Sequence, residues 1–489
     1  MTDFARWVSR VRSPIERLLP GSARWFDALV LGSVGLGLRL ITVFWAASRF
    51  PPAADGTFYD TVARRIAAGE GYTWLWPDGA VTYAAHYPVG YPALIGALYA
   101  VFGASPAAAM LFNAALGAGA VVATYWLGAE FGARRWACAG ALLTAVHPSL
   151  VLYTPAIMTE GVTAALYVIA TWVACRWARA AGLGWGWLLG LILGATLLVR
   201  PQSLLLVPVL GVVAAYGNRG PDRARPRAER ILSSFWFRAV MVTGVALAVC
   251  APWTARNCQR MGRCVLVSAN GGWNLLIGTA EQAKGAWIAL TDMGVPAECR
   301  EVFEEARKDA CFGDAALRRI VERPGAWLAL VPSKWGATFD YPAAPAHYLR
   351  MSNPTLFSHA DEQQLVVLET VFSRCLLALA LLGFARLPGP ARRVRGLLGV
   401  FGIASLASPF AWPAVLCLLA LGLLQWRALT AARPLAVALS ALALTALIHA
   451  VFFGAGRYAL VGGYLAGLLA MAGSATRGHP APPSTKVAV

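Results

Sequence analysis

The chain has 489 residues, of which 58% are hydrophobic and only 13% charged, against about 25% charged in an ordinary soluble domain. A soluble globular fold is therefore excluded. The formal net charge is +18, but the basic residues are spread over short connections between apolar runs, which is the charge pattern of membrane loops and not of a nucleic-acid surface.

Apolar runs long enough to cross a bilayer, about 20 residues of helix, recur along nearly the whole chain. They are continuous instead of alternating, so the fold class predicted is an all-α polytopic membrane bundle of about 11–13 spans, without barrel strands. Residues 1–27 form a basic cytoplasmic N-terminus in which Trp7, Val8, Val11, Ile15 and Leu18 among the arginines suit an interfacial helix. The run 28–47 carries Gly32, Gly35, Gly37 and Arg39 with no small-residue cleavage site after it, so it reads as a retained span. Arginine clusters at the N-terminus, at Arg134 and Arg135, at Arg176 and Arg179, between Arg219 and Arg230, between Arg386 and Arg395, and at Arg427 and Arg433 assign those connections to the cytoplasm. The intervening connections alternate to the outside of a cytoplasmic (inner) membrane, so a site built on them faces the periplasm.

The first outside loop, 48–88, begins Pro51-Pro52-Ala53-Ala54-Asp55. After it, Tyr59, Val62, Ala63 and Ile66 recur at helical spacing and form one apolar face of a short amphipathic helix. Asp60 has Arg64 one turn later, the spacing of a local ion pair. Asp55 has no such partner and lies beside Gly56 at the helix start, where a carboxylate serves either as a cap or as a general base or metal ligand. The loop ends at His86-Tyr87-Pro88, whose histidine suits a phosphate, a metal or a polar lining. The second outside turn leads into Thr159-Glu160 at the head of an apolar run. A glutamate there is expensive unless it faces a polar cavity or the positive end of its helix. Arg200, Arg256 and Arg457 stand at outside helix ends, where the cytoplasmic bias of arginine does not account for them, and guanidinium groups bind phosphate bidentately.

Between 254 and 362 lies an outside segment with 12 basic and 12 acidic residues, the balance of a small folded extramembrane unit. It holds Cys258, Cys264, Cys299 and Cys311, four of the nine cysteines. Pairing of 258 with 264 and of 299 with 311 fits an oxidising compartment, and four free thiols fit the sequence equally well. Residues 363–474 supply the remaining spans, and 475–489 a Pro- and Ser/Thr-containing cytoplasmic tail.

Taken in order, Asp55 with Tyr59, Tyr87 to Pro92, Met158-Thr159-Glu160, Leu198 to Pro201, Pro252 to Asn257, Gly271-Gly272-Trp273-Asn274-Leu275 and Arg457-Tyr458 resemble the GT-C superfamily of membrane glycosyltransferases. The branch is the one that includes protein O-mannosyltransferases and the lipid A aminoarabinose transferase, and the resemblance covers roughly 28–474. It implies a GT-C module at 28–253, a polyprenyl-phosphate-linked sugar as donor, inversion at the anomeric carbon, and a lipid, glycan or protein acceptor. It also implies that Asp55 and Glu160 are the essential acids, with a divalent metal on the pair left open and no other cofactor. Donor contacts fall to His86, Arg200, Arg256, Arg457, Tyr59 and Tyr458, with membrane lipids around the bundle and no role for nucleic acid. The departure from the family pattern is the small loop unit in place of a large C-terminal domain. The rival reading, a transporter or lipid flippase, would place the same arginines and Glu160 along a path, but no convincing internal repeat accompanies them.

Overall fold

The computed structural model describes residues 22–179, 182–215, 234–426, 429 and 432–474. The interfacial helix expected near 7–18, the basic stretch from Arg219 to Arg230, Arg427 and the tail 475–489 lie outside these residues. The helices used below are α1 (Ser22–Ala46), α2 (Asp55–Ala67), α3 (Gly90–Phe102), α4 (Pro106–Phe131), α5 (Thr159–Arg179), α6 (Gly184–Val199), α7 (Leu206–Ala215), α8 (Phe235–Arg260), α9 (Gly271–Ile277), α10 (Glu305–Glu322), α11 (Ala344–Ser352), α12 (His359–Arg386), α13 (Trp412–Leu424), α14 (Arg433–Val451) and α15 (Gly463–Ala470).

Six of them, α1, α4, α5, α8, α12 and α14, are long and apolar enough to cross a membrane. The other apolar runs form shorter helices, among them α3, α6 and α13. Proline explains one interruption: α6 ends at Val199, Arg200 is extended, and Pro201 opens a short 3-10 turn before α7, because the residue before a proline avoids the helical region. Arg200 is thereby turned out of its own helix.

Small residues set the helix spacing. A Cβ on Gly190 or Gly194 would lie 2.5 Å from Val245 or Val249, so α6 and α8 approach more closely than larger residues would permit. One large apolar cluster runs through the bundle, and a second, smaller one holds residues 276–316 together as a unit around Leu276, Ile277, Cys299 and Phe312. The second cluster also takes in Phe453 and Tyr458, so the unit packs onto the chain on either side of Gly456 and Arg457. Disulfides join Cys258 to Cys264 and Cys299 to Cys311. A two-stranded antiparallel hairpin, β1 (Thr73–Leu75) with β2 (Val81–Tyr83), covers the first loop and pairs Thr73 with Tyr83. The local pair expected on α2 is formed, with Arg64 Nε 2.8 Å from Asp60 Oδ2.

Candidate active site

A cavity of about 240 Å³ opens at the end of the bundle where α2, α5, the α6–α7 break, α9 and the segment around Arg457 meet. Asp55 stands in the first turn of α2, where the partial positive charge of the helix end favours a carboxylate. Its backbone approach is unusually tight. Ala54 sits at φ 52°, ψ −134°, a strained conformation for a residue with a Cβ, and a Cβ on Gly56 would stand 2.9 Å from the Ile157 carbonyl. The Tyr348 hydroxyl, from α11, accepts from the backbone N–H groups of Ala53 and Ile157, each at 3.3 Å, and so ties the start of α2 to the chain just before Glu160.

The two acids meet through one guanidinium. Arg457 Nη1 donates to Asp55 Oδ2 at 2.8 Å, and its Nε lies 3.6 Å from Glu160 Oε1. Glu160, in the first turn of α5 and only 2% exposed, also accepts from Arg200 Nη1 at 3.2 Å and from the Tyr153 hydroxyl at 3.3 Å. Arg200 and Arg457 both face the Tyr458 ring, at 5.0 and 5.2 Å from its centroid, and His449 stacks on the same ring. Asp55 Oδ1 accepts from the Tyr87 hydroxyl at 2.9 Å. Burial alone would raise the Asp55 carboxyl, but the Arg457 charge and the two hydrogen bonds outweigh it and hold the group below its ordinary 3.8. Tyr59 lies against Tyr87 and Tyr91, and burial keeps its phenol protonated.

His86 shares this cavity, its ring 5.1 Å from Trp273. Burial pushes the imidazole down to about 4 despite the nearby Asp55, so at neutral pH it lines the cavity as an uncharged ring. Two carboxylates one turn apart on α10 hold this wall in place. Glu305 Oε2 accepts from the N–H groups of Ala85 and His86, and Asp309 Oδ1 accepts from Trp273 N at 2.8 Å. Burial raises both carboxyls above their ordinary values, against the pull of those amides.

Of the residues singled out by sequence, Asp55, Tyr59, His86, Glu160, Arg200, Arg457 and Tyr458 line this one cavity. Arg256 does not. Its Nη1 donates to Ala84 O and its Nη2 to Tyr72 O, at 2.9 and 3.0 Å, while its guanidinium lies over Trp253 at 4.6 Å. Those donors are spent on carbonyls that fasten the first loop to α8. Tyr87, Tyr348, Glu305 and Asp309 were given no role from sequence, because each acts through a contact with a distant segment; Tyr153 was missed as well, although it bonds Glu160 only seven residues along the chain.

Among the described residues no group of three or more His, Cys, Asp or Glu side chains is placed to hold a metal ion. The Arg457 guanidinium stands against both Asp55 and Glu160, so a divalent cation held by this pair would have to displace it.

No family description and no curated protein matches the chain. Among solved structures it is similar to the Archaeoglobus fulgidus oligosaccharyltransferase in the apo form, at 14% identity over 93% of this chain and 50% of that one, TM-score 0.48. The archaeal oligosaccharyltransferase AglB from Archaeoglobus fulgidus, in complex with an inhibitory peptide and a dolichol-phosphate, gives 14% identity over 92% and 50%, TM-score 0.44. ArnT from Cupriavidus metallidurans bound to undecaprenyl phosphate gives 15% identity over 92% and 77%, TM-score 0.38. The chain spans about half the length of the oligosaccharyltransferases it matches. At such scores the functional reading rests on the side chains themselves.

Proposed function

We propose that the chain is an inverting GT-C glycosyltransferase that moves a sugar from a polyprenyl-phosphate donor to a lipid, glycan or protein acceptor on the periplasmic face of a cytoplasmic membrane. The observation that carries this is the convergence of two acids and two guanidinium groups in one cavity at the ends of apolar helices. The periplasmic orientation is supported by the placement of the arginine clusters and by the two disulfides of the extramembrane unit.

The donor phosphate lies against Arg200 and Arg457, whose remaining N–H groups make charge-assisted hydrogen bonds to its oxygens. The acceptor oxygen attacks the anomeric carbon from the face opposite the phosphate and gives its proton to Asp55. The bond from the anomeric carbon to the phosphate oxygen breaks, and polyprenyl phosphate leaves with that electron pair. Donor binding also prepares the base. As Arg457 turns part of its charge to the phosphate, the interaction that depresses Asp55 weakens and its proton affinity rises. General-base assistance contributes ~100-fold to ~10,000-fold, and stabilising the departing phosphate in a water-poor site contributes on a similar scale. Glu160 holds Arg200 and Arg457 in position and orients the acceptor.

The test is mass spectrometry of lipid-linked sugars and envelope glycans in a deletion strain. A donor that accumulates, together with one glycan or lipid that loses a sugar, both restored by the wild-type gene, is the expected result. Unchanged pools would overturn the transferase reading.

A further inference from the structure

A second opening lies at the far end of the bundle. Arg433 begins α14, whose last turn carries Ile448 and His449 into the catalytic cavity, so Arg433 stands about 22 Å from that cavity along the helix axis. There a groove of about 300 Å³ lies between α7 and α14. Val209, Val212 and Val213 line it from α7, Ala436 from α14, and Trp426 from just beyond α13. Trp426 is 46% exposed, an indole at a helix end, where the membrane interface favours it.

Arg433 is the one charged residue among those that line the groove. Its Nε is buried without a hydrogen-bond partner, so the side chain lies down against the protein, and among the described residues no carboxylate or carbonyl engages its guanidinium. The helix ends around it add more cations, Arg176 and Arg179 on α5 and Arg238 on α8. Arg238 Nη1 donates to the Ala214 carbonyl at 2.8 Å, which sets its charge beside the valine wall of α7. The compensating acid is Glu130 of α4, which pairs with Arg179 at 2.7 Å and lies in the fields of Arg176 and Arg433 as well. Four arginines thus share one acid.

The cytoplasmic bias of arginine accounts for cations at these helix ends. It does not account for an arginine lodged beside an open apolar groove, since a loop arginine extends its head into water. A lipid meets both features at once, with a phosphate on the guanidinium and an alkyl chain along the valines. A zwitterionic headgroup brings its own cation into the excess of positive charge, so the site selects a headgroup with net negative charge. We propose that the groove between α7 and α14 binds an anionic glycerophospholipid of the leaflet opposite the catalytic cavity, with its phosphate on Arg433 and an acyl chain along Val209, Val212 and Val213. The bound lipid braces two helices that lead to that cavity, because α7 follows the break at Arg200 and α14 ends beside it.

The experiment places the full chain in nanodiscs of phosphatidylglycerol and phosphatidylcholine at equal mole fraction, doped with bare short-chain polyprenyl phosphate. Native mass spectrometry then measures which lipids stay bound. Phosphatidylglycerol should be retained about fivefold to tenfold over phosphatidylcholine. Arg433→Gln should bring the ratio close to unity, and Arg433→Lys should keep most of it. Val212→Trp, which fills the groove and leaves the charge, should abolish the preference as Gln does. Arg135→Gln removes a cation assigned to the same membrane face that does not line the groove, and should leave the ratio unchanged. Retention of polyprenyl phosphate should be the same in all of them. No preference in the wild type, or a loss in Arg135→Gln as large as in Arg433→Gln, would overturn the site. Loss of polyprenyl phosphate in place of phosphatidylglycerol in Arg433→Gln would overturn its assignment to a phospholipid.

Discussion

Arg457 is the residue whose removal tests the geometry of the site most sharply. Its guanidinium makes a 2.8 Å bond to Asp55 and stands 3.6 Å from Glu160. The side chains of Arg457 and Asp55 are 27% and 24% exposed, which leaves the pair partly screened, whereas Glu160 is 2% exposed and keeps Arg200 as its other partner. Replacement by Gln therefore removes one charge-assisted bond outright and weakens one Coulomb contact, without leaving Glu160 bare. The expected destabilisation is about 2–3 kcal/mol, the upper part of the range for hydrogen bonds to charged groups and below the loss expected when a buried ion is orphaned. Thermal and chaotrope unfolding in nanodiscs, run as a double-mutant cycle with Asp55→Asn, should assign about 1.5–3 kcal/mol of that to coupling between the two residues. The pH dependence follows from the depressed carboxyl. The contribution of Asp55 is fully present above its ordinary 3.8 and is lost as pH falls below that value through the lower folded value. Without Arg457 the burial that raises the Asp55 carboxyl is opposed mainly by the Tyr87 hydrogen bond, so the difference between wild type and Arg457→Gln should be constant near neutral pH, begin to shrink above 3.8 as Asp55 protonates in the variant, and be lost as pH falls through the lower wild-type value. An additive cycle, or a difference that vanishes already at pH 6, would refute the proposed role of Arg457.

Three further outcomes are expected. Arg256→Ala should lower stability by about 1–3 kcal/mol, because the Ala84 and Tyr72 carbonyls lose their donors. The affinity for bare polyprenyl phosphate, measured by the same binding assay, should stay as in the wild type. His86, held near 4 against an ordinary 6.5, is protonated more readily in the unfolded chain, so its contribution to stability declines as pH falls from 6.5 toward 4. Unfolding curves across that interval should flatten in His86→Gln, by up to about 3 kcal/mol in total. Alkylation under denaturing conditions should label five cysteines before reduction and all nine after it, since Cys258, Cys264, Cys299 and Cys311 are paired and five others are free.

The membrane architecture was largely legible because a bilayer tolerates few charges and long apolar runs leave little freedom of interpretation. Glu160 was legible for the same reason, since an acid at the head of an apolar span has to be compensated, but Arg200 and Arg457 were singled out only as phosphate binders, and their pairing with Glu160 and Asp55 emerges from the structure. Arg256 looked identical to them in sequence, since nothing local distinguishes a guanidinium aimed at a cavity from one taken up by loop carbonyls. The contacts that shape the site were harder to read. Tyr348 reaches the start of α2 across almost 300 residues, and Glu305 and Asp309 grip segments more than 30 residues away. Their signal, acids one turn apart on an amphipathic helix, is shared with any solvated surface.

The transfer itself is most directly tested with the purified full chain in nanodiscs, following release of polyprenyl phosphate from the accumulated donor in the presence of envelope acceptor. Wild type should release it stoichiometrically with glycosylated acceptor, and Asp55→Asn should bind the donor but release it ~100-fold to ~10,000-fold more slowly. Asp55→Asn turning over at the wild-type rate would contradict the account.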